Sequence, residues 1–124
     1  YRVITLDLPG HGKTVIDPPD EDTYSMRWTA VDISYILDEL DIDQVHLVGY
    51  SMGGRMALYF AINHGQRLQT LTLGSTTPGI EDDDEREARR KEDRELADKI
   101  EEKGIDWFVA HWQSLPQFLG LTKH

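Results

Sequence analysis

Three short apolar runs, Val3 to Leu8, Gln44 to Gly49 and Leu68 to Leu73, stand between turn residues and are separated by segments long enough to form helices. That alternation predicts an α/β arrangement of parallel strands joined by crossover helices. Pro9-Gly10-His11-Gly12 and the acidic Pro18-Pro19-Asp20 mark loops. From Thr23 to Leu40, Met26, Ala30, Ile33, Ile36, Leu37 and Leu40 recur at helical spacing, so the first crossover reads as a helix. The second runs from Ser51 to His64 with Met56, Ala57, Phe60 and Ala61 as its buried stripe, and Gly65 is placed to stop it.

After Gly74 the pattern changes. Ser75 to Gly79 reads as a loop, and 19 of the 23 residues from Glu81 to Lys103 are charged. Charge alone describes a solvated face. At about 100° per residue, however, Arg86, Arg89, Asp93, Leu96, Ala97 and Ile100 share an arc of about 100°, an apolar half continuing into an Arg/Asp half, so this face is expected to pack. Gly104 ends that helix. Ile105 to Trp112, with Trp107, Phe108 and Trp112, predicts a second, shorter one that Leu115-Pro116 breaks.

Composition narrows the class. Of 124 residues 39% are hydrophobic, too many for a disordered chain, and no apolar run reaches the roughly 18 residues of a bilayer-spanning helix. No membrane partner is expected. The absence of Cys removes disulfides and thiolate metal sites, and 13 Lys and Arg against 23 Asp and Glu leave a net charge of −10. Such a surface repels phosphate backbones, so no nucleic-acid partner is expected, and it suits a cytoplasmic setting. The chain opens directly on Tyr1-Arg2-Val3-Ile4-Thr5-Leu6-Asp7, without Met, and no targeting segment is visible in these residues. A sheet that begins there is expected to have partner strands elsewhere, and the chain reads as the central piece of something longer.

The strongest chemical signal is Gly49-Tyr50-Ser51-Met52-Gly53, which follows a predicted strand and opens a predicted helix, the context of a G-x-S-x-G nucleophile elbow. Small residues at 49 and 53 allow a sharp turn that lifts the Ser51 hydroxyl above the sheet. Peptide dipoles at the helix N-terminus favour developing negative charge there, and the Met52 N–H supplies half of an oxyanion hole. The competing reading is an ordinary tight turn with a capping serine. A serine base or nucleophile needs an imidazole and a carboxylate. His64 lies 13 residues along the same helix, roughly 20 Å away, and His46 five residues back along the strand, roughly 16 Å away, so neither reaches Ser51. His11 reads as a loop-structuring residue, His111 as a surface residue and His124 as a chain end. Gly12-Lys13-Thr14 imitates the end of a phosphate-binding loop, but Asp7 stands where the loop requires glycine. The acidic clusters lack metal-ligand spacing. No cofactor and no metal are expected.

Asp7-Leu8-Pro9-Gly10-His11-Gly12 between strand and helix, and Gly49-Tyr50-Ser51-Met52-Gly53-Gly54-Arg55 after the next strand, resemble the central part of the α/β-hydrolase fold. Further residues sharpen the resemblance: Arg55, Ser75-Thr76-Thr77-Pro78-Gly79-Ile80, the run Glu85-Arg86-Glu87-Ala88-Arg89-Arg90-Lys91-Glu92-Asp93, Leu96-Ala97, Gly104-Ile105, Trp107-Phe108-Val109, Trp112 and Leu115-Pro116. Together they are similar to the MenH family, the 2-succinyl-6-hydroxy-2,4-cyclohexadiene-1-carboxylate synthases of menaquinone biosynthesis. The resemblance covers nearly the whole chain and about half of such an enzyme. It implies a partial hydrolase core over 1–76, a helical lid over 77–118 and a continuation or tail over 119–124.

It also implies a lyase on a hydrolase scaffold. In that family a triad-activated serine takes a proton from a cyclohexene ring, and the enolpyruvyl group leaves as pyruvate without an acyl intermediate. Carried onto this chain, Ser51 is the base, Met52 N–H serves the oxyanion hole, Tyr50 and Arg55 flank the serine, and Arg89 and Trp112 of the lid bind a small polycarboxylate substrate. Arginine suits that task because its planar fork makes bidentate, charge-assisted hydrogen bonds. The family's upstream His-Gly loop and its triad Asp and His fall outside residues 1–124, so the piece alone is expected to be inactive. Glu is expected where Gly74 stands. The alternative for Arg89 with Asp93 is a helix-face ion pair, worth about 0.3–0.5 kcal/mol when exposed. Two other readings remain open: a carboxylesterase or C–C hydrolase with Ser51 as nucleophile, and a non-catalytic interaction module pairing through open sheet edges.

Overall fold

The computed structural model describes residues 1–18, 20 and 22–116, and the chain forms two compact units, Tyr1–Pro78 and Gly79–His124. In the first, β1 (Val45–Tyr50) and β2 (Leu68–Gly74) form a parallel pair, with Leu47 opposite Leu71, Gly49 opposite Leu73 and Tyr50 opposite Gly74. Two helices build the layer beside them. α1 (Met26–Glu39) follows a short 3-10 turn at Asp22–Tyr24, and α2 (Met52–His64) is the crossover from β1 to β2. α2 lies on both strands and α1 packs against α2.

Local chemistry sets the ends of α1. Ser25 is its N-cap, and the Ser25 Oγ accepts from Trp28 N at 3.3 Å. At the other end Asp41 turns left-handed (φ 53), the Asp41 N–H donates to Asp38 O and the Ile42 N–H reaches back to Leu37 O at 2.9 Å. This is a Schellman closure, and it carries Ile42 onto Leu37 and into the core. α2 ends differently from expectation. Gly65 keeps a right-handed φ of −56 and opens a 3-10 turn over Gly65–Arg67, so tightening of the last turn, not a left-handed glycine, stops the helix.

The predicted stripes form the core in part, since Met26, at the first position of α1, is exposed and Ile36 and Leu40 are only half-buried. Ala30, Leu37, Met56 and Phe60 are buried together, Phe60 completely, with Ile33, Ile42, Val45, Leu47 and Leu68 packed around them. One sequence expectation fails: Val3–Leu8 is not a strand. A strand exists through its ladder, and among the described residues no segment pairs with this one. Its end is nevertheless anchored, because Leu8 packs on the core.

The second unit holds α3 (Asp83–Gln113), whose N-cap Asp82 accepts from Glu85 N at 2.9 Å. Gly104 (φ 81) breaks α3 into two helical segments, as the glycine in the sequence suggests. The face expected to pack is only partly covered. Arg86, Leu96 and Ile100 are half-buried, whereas Arg89, Asp93 and Ala97 are exposed, and α3 contains no buried residue. The predicted segment 119–124, with His124, lies outside the described residues. Among the described residues no helix is long and apolar enough to cross a membrane.

Candidate active site

Ser51 sits where β1 ends and α2 begins, with φ 51 and ψ −118, a backbone conformation that side chains ordinarily avoid. The capping alternative required an extended backbone and a side-chain bond to the helix, and Ser51 has neither. Its carbonyl accepts from Gly54 N at 3.0 Å and Arg55 N at 3.2 Å, and the residue is exposed. The turn is this sharp because Gly49 allows it. A Cβ there would lie 2.5 Å from Gly53 O, 2.7 Å from Gly54 Cα and 2.8 Å from Ala57 Cβ. Met52 opens α2, so its N–H has no carbonyl one turn earlier in the helix and is available at the same end as the Ser51 hydroxyl.

The other wall of the elbow comes from the end of β2. The Ser51 N–H donates to Gly74 O at 2.9 Å, Ser75 turns left-handed (φ 48), and Thr76 returns against Gly54. Gly74 stands where a larger residue was expected. A Cβ there would approach Tyr50 Cδ2 at 3.2 Å, so the bare backbone makes room for the Tyr50 ring. Sequence reading missed the Thr76 contact altogether, since its only signal was the loop composition after Gly74.

Tyr50, Ser51, Met52 and Arg55 are thus brought together by one turn of chain. All four are exposed, and among the described residues no hydrogen bond or ion pair engages the Arg55 guanidinium. The described histidines of the first unit are engaged with other groups: His46 with Thr70 Oγ1 at 2.9 Å, His64 stacked on Phe60 at 4.9 Å, and His11 Nδ1 at 3.1 Å from Pro9 O. Asp7 organises that same loop, accepting from Lys13 N at 2.9 Å. Among the described residues no side chain is hydrogen-bonded to the Ser51 hydroxyl, and no three His, Asp or Glu residues group as metal ligands.

Arg89 and Trp112 belong to the second unit. Arg89 Nε donates to Asp93 Oδ1 at 2.8 Å along the helix, the ion pair anticipated as its alternative role. Trp112 lies 5.4 Å from Phe108, ring centre to ring centre, and His111 stacks on Trp107 at 5.0 Å.

A parallel βαβ unit whose first strand is followed by a positive-φ serine, with a helix starting at the next residue, defines an α/β fold with the strand–serine–helix turn of a G-x-S-x-G motif. The family model described as alpha/beta hydrolase fold matches residues 1–122, and the chain belongs to that family. It is 43% identical over 117 residues to a putative 2-succinyl-6-hydroxy-2,4-cyclohexadiene-1-carboxylate synthase of Bacillus subtilis (strain 168), covering 94% of this chain and 42% of that protein. The solved structure of MenH from S. aureus superposes with a TM-score of 0.83 at 35% identity, covering 96% of this chain and 44% of that one. A 2-hydroxy-6-oxononadienedioate/2-hydroxy-6-oxononatrienedioate hydrolase of Cupriavidus pinatubonensis (strain JMP 134 / LMG 1197) is 41% identical over 80 residues, 64% of this chain and 27% of that protein. The chain therefore spans less than half the length of these relatives.

Proposed function

We propose that the protein containing this chain is a menaquinone-pathway lyase that eliminates pyruvate from 2-succinyl-5-enolpyruvyl-6-hydroxy-3-cyclohexene-1-carboxylate, with Ser51 as the triad-activated base. Fold alone does not choose among the many activities of this superfamily, so the argument rests on the site. The observation that carries it is the strained Ser51 with the unpaired, exposed Arg55 one helical turn on: a base beside a cation that awaits an anion. The breadth of the similarity supports the same choice, since the Bacillus synthase matches 94% of the chain and the C–C hydrolase 64%.

In this reading Ser51, its own proton held by the triad histidine, removes a ring proton; the freed electron pair forms a ring double bond as the bond from ring carbon to the enolpyruvyl oxygen breaks, and the departing enolpyruvate takes up a proton to become pyruvate. Met52 N–H, at the positive end of α2, stabilises developing negative charge, and Tyr50 and Arg55 hold the substrate beside Ser51. Arg89 and Trp112 are further substrate-binding residues of this reading, the Arg89 fork being suited to a substrate carboxylate. The triad Asp and His and the second oxyanion donor come from outside residues 1–124. The enzyme works in the cytoplasm on a small polycarboxylate and needs no cofactor.

The test is pyruvate release by the protein of the full reading frame, compared with Arg89→Ala. Rapid release that falls about ten- to a hundredfold in kcat/KM in the variant is expected, the size of a lost charge-assisted hydrogen bond. Absence of release with efficient aryl-ester hydrolysis would instead make Ser51 the nucleophile of an esterase or C–C hydrolase. If neither activity is present, the interaction-module reading gains.

A further inference from the structure

We propose that Thr76 is a positioning residue for the elbow: its branched side chain wedges against Gly54 and holds the first turn of α2, and with it Ser51 and the Met52 N–H, in the reacting geometry. This rests on Ser51 being the reacting group, as proposed above.

Three observations converge on Thr76. A Cβ at Gly54 would lie 2.7 Å from Thr76 Cβ, 2.8 Å from Cγ2 and 3.0 Å from Oγ1, so the whole branch faces Gly54 and leaves no room for even a methyl group. Two residues before Thr76, Gly74 O accepts from the Ser51 N–H at 2.9 Å. One short segment therefore grips the elbow at its backbone and at its helix, with the left-handed Ser75 (φ 48) turning the chain between the two grips. Finally, Thr76 Oγ1 is buried and has no hydrogen-bond partner among the described residues. A hydroxyl in that state is a cost without a return, so what the side chain supplies here is its shape. Ser51 is held in a conformation that its own backbone resists, and such strain persists only where the surroundings over-determine it.

The experiment compares Thr76→Val, Thr76→Ser, Thr76→Gly, Gly54→Ala and the double variant Gly54→Ala/Thr76→Gly in the full-length protein, measuring kcat and KM for pyruvate release well below each melting temperature. Valine keeps the branch, so kcat within about twofold of wild type and a raised Tm are expected. Glycine removes the wedge and should lower kcat about tenfold while KM stays within about twofold, because small misplacements of reacting groups are costly. Gly54→Ala should lose more, and the double variant should regain most of that loss, since the space vacated at 76 accepts the methyl at 54. Losses that multiply in the double variant overturn the proposal, as does a serine variant that keeps kcat while valine loses it. Failure of the lyase reading shows separately, as wild type that releases no pyruvate. The same variants are then ranked by the rate at which a fluorophosphonate modifies Ser51, where the wedge predicts the same order and a flat ranking rejects it.

Discussion

Ser51 carries opposing demands on one residue. Its φ of 51 and ψ of −118 belong to a region that costs a non-glycine residue on the order of 1–3 kcal/mol, and Gly49, Gly74 and Thr76 hold it there. Replacing it by glycine removes the strain and the hydroxyl together. Ser51→Gly is therefore expected to abolish turnover and to raise stability by about 1 kcal/mol in denaturant unfolding of the full-length protein. Lower stability would show that the hydroxyl makes a contact that the present geometry lacks. The elbow pattern was legible in the sequence because all its parts lie within five residues. The contact between Gly54 and Thr76 was not, because 22 residues separate the two and only the ladder of β1 with β2 brings them together.

α3 shows how little a long charged helix owes to a core. No residue of it is buried, and its exposed face is laced with pairs: Arg94 Nη2 to Glu87 Oε1 at 2.8 Å, Arg90 to Glu87 at 3.6 Å and Arg89 to Asp93 at 2.8 Å. The side-chain hydrogen bond from Arg94, aided by the charges of Arg94 and Arg90, holds the Glu87 carboxyl below the usual glutamate range. A carboxyl depressed by folding stabilises the helix above its unfolded pKa, and that contribution disappears as pH falls through the folded value. Circular dichroism of the full-length protein from about pH 7 to about pH 3 should show helix lost on the acid side. Glu87→Gln should start with less helix and show a smaller acid-side loss, and an unchanged titration would remove Glu87 from the account. Glycine at 104 made the break in this helix readable in advance and the i,i+4 spacing offered the Arg89–Asp93 pair, whereas the arginines that Glu87 takes were decided only by the rotamers. β2 is tied in by an equally unforeseen device. Arg67 donates to Asp38 Oδ1 and Ile42 O, both at 2.7 Å, and to Asp43 O at 2.9 Å, fastening the end of α1 and the approach to β1 onto the start of β2.

At the scale of the molecule, the sheet of the first unit is dressed on one side only. α2 covers the face of Val45, Leu47 and Gly49, while His46, Val48 and Tyr50 on β1 and Thr70 and Thr72 on β2 point to solvent, with Val48 73% and Tyr50 71% exposed. Parallel sheets are ordinarily covered on both faces, and the outer edge of β1 has no partner among the described residues. The 124-residue chain expressed alone is therefore expected to self-associate or to bind a hydrophobic dye such as ANS, and to melt without a sharp transition. A monomeric, cooperative transition above ordinary mesophile midpoints, read by calorimetry and light scattering, would contradict this.

What the sequence determined by itself was everything that depends on neighbours along the chain: the helical stripes that in part became the core, the break at Gly104, and an elbow motif in its strand-to-helix setting. Only the tertiary structure decided that Val3–Leu8 makes no ladder, that Gly65 does not turn left-handed, that Gly74 makes room for Tyr50 and that Thr76 faces Gly54. The physical reason is the range of the interactions. Periodicity, caps and tight turns are set by residues a few positions apart, whereas pairing and close packing join residues whose separation in sequence says nothing of their distance in space.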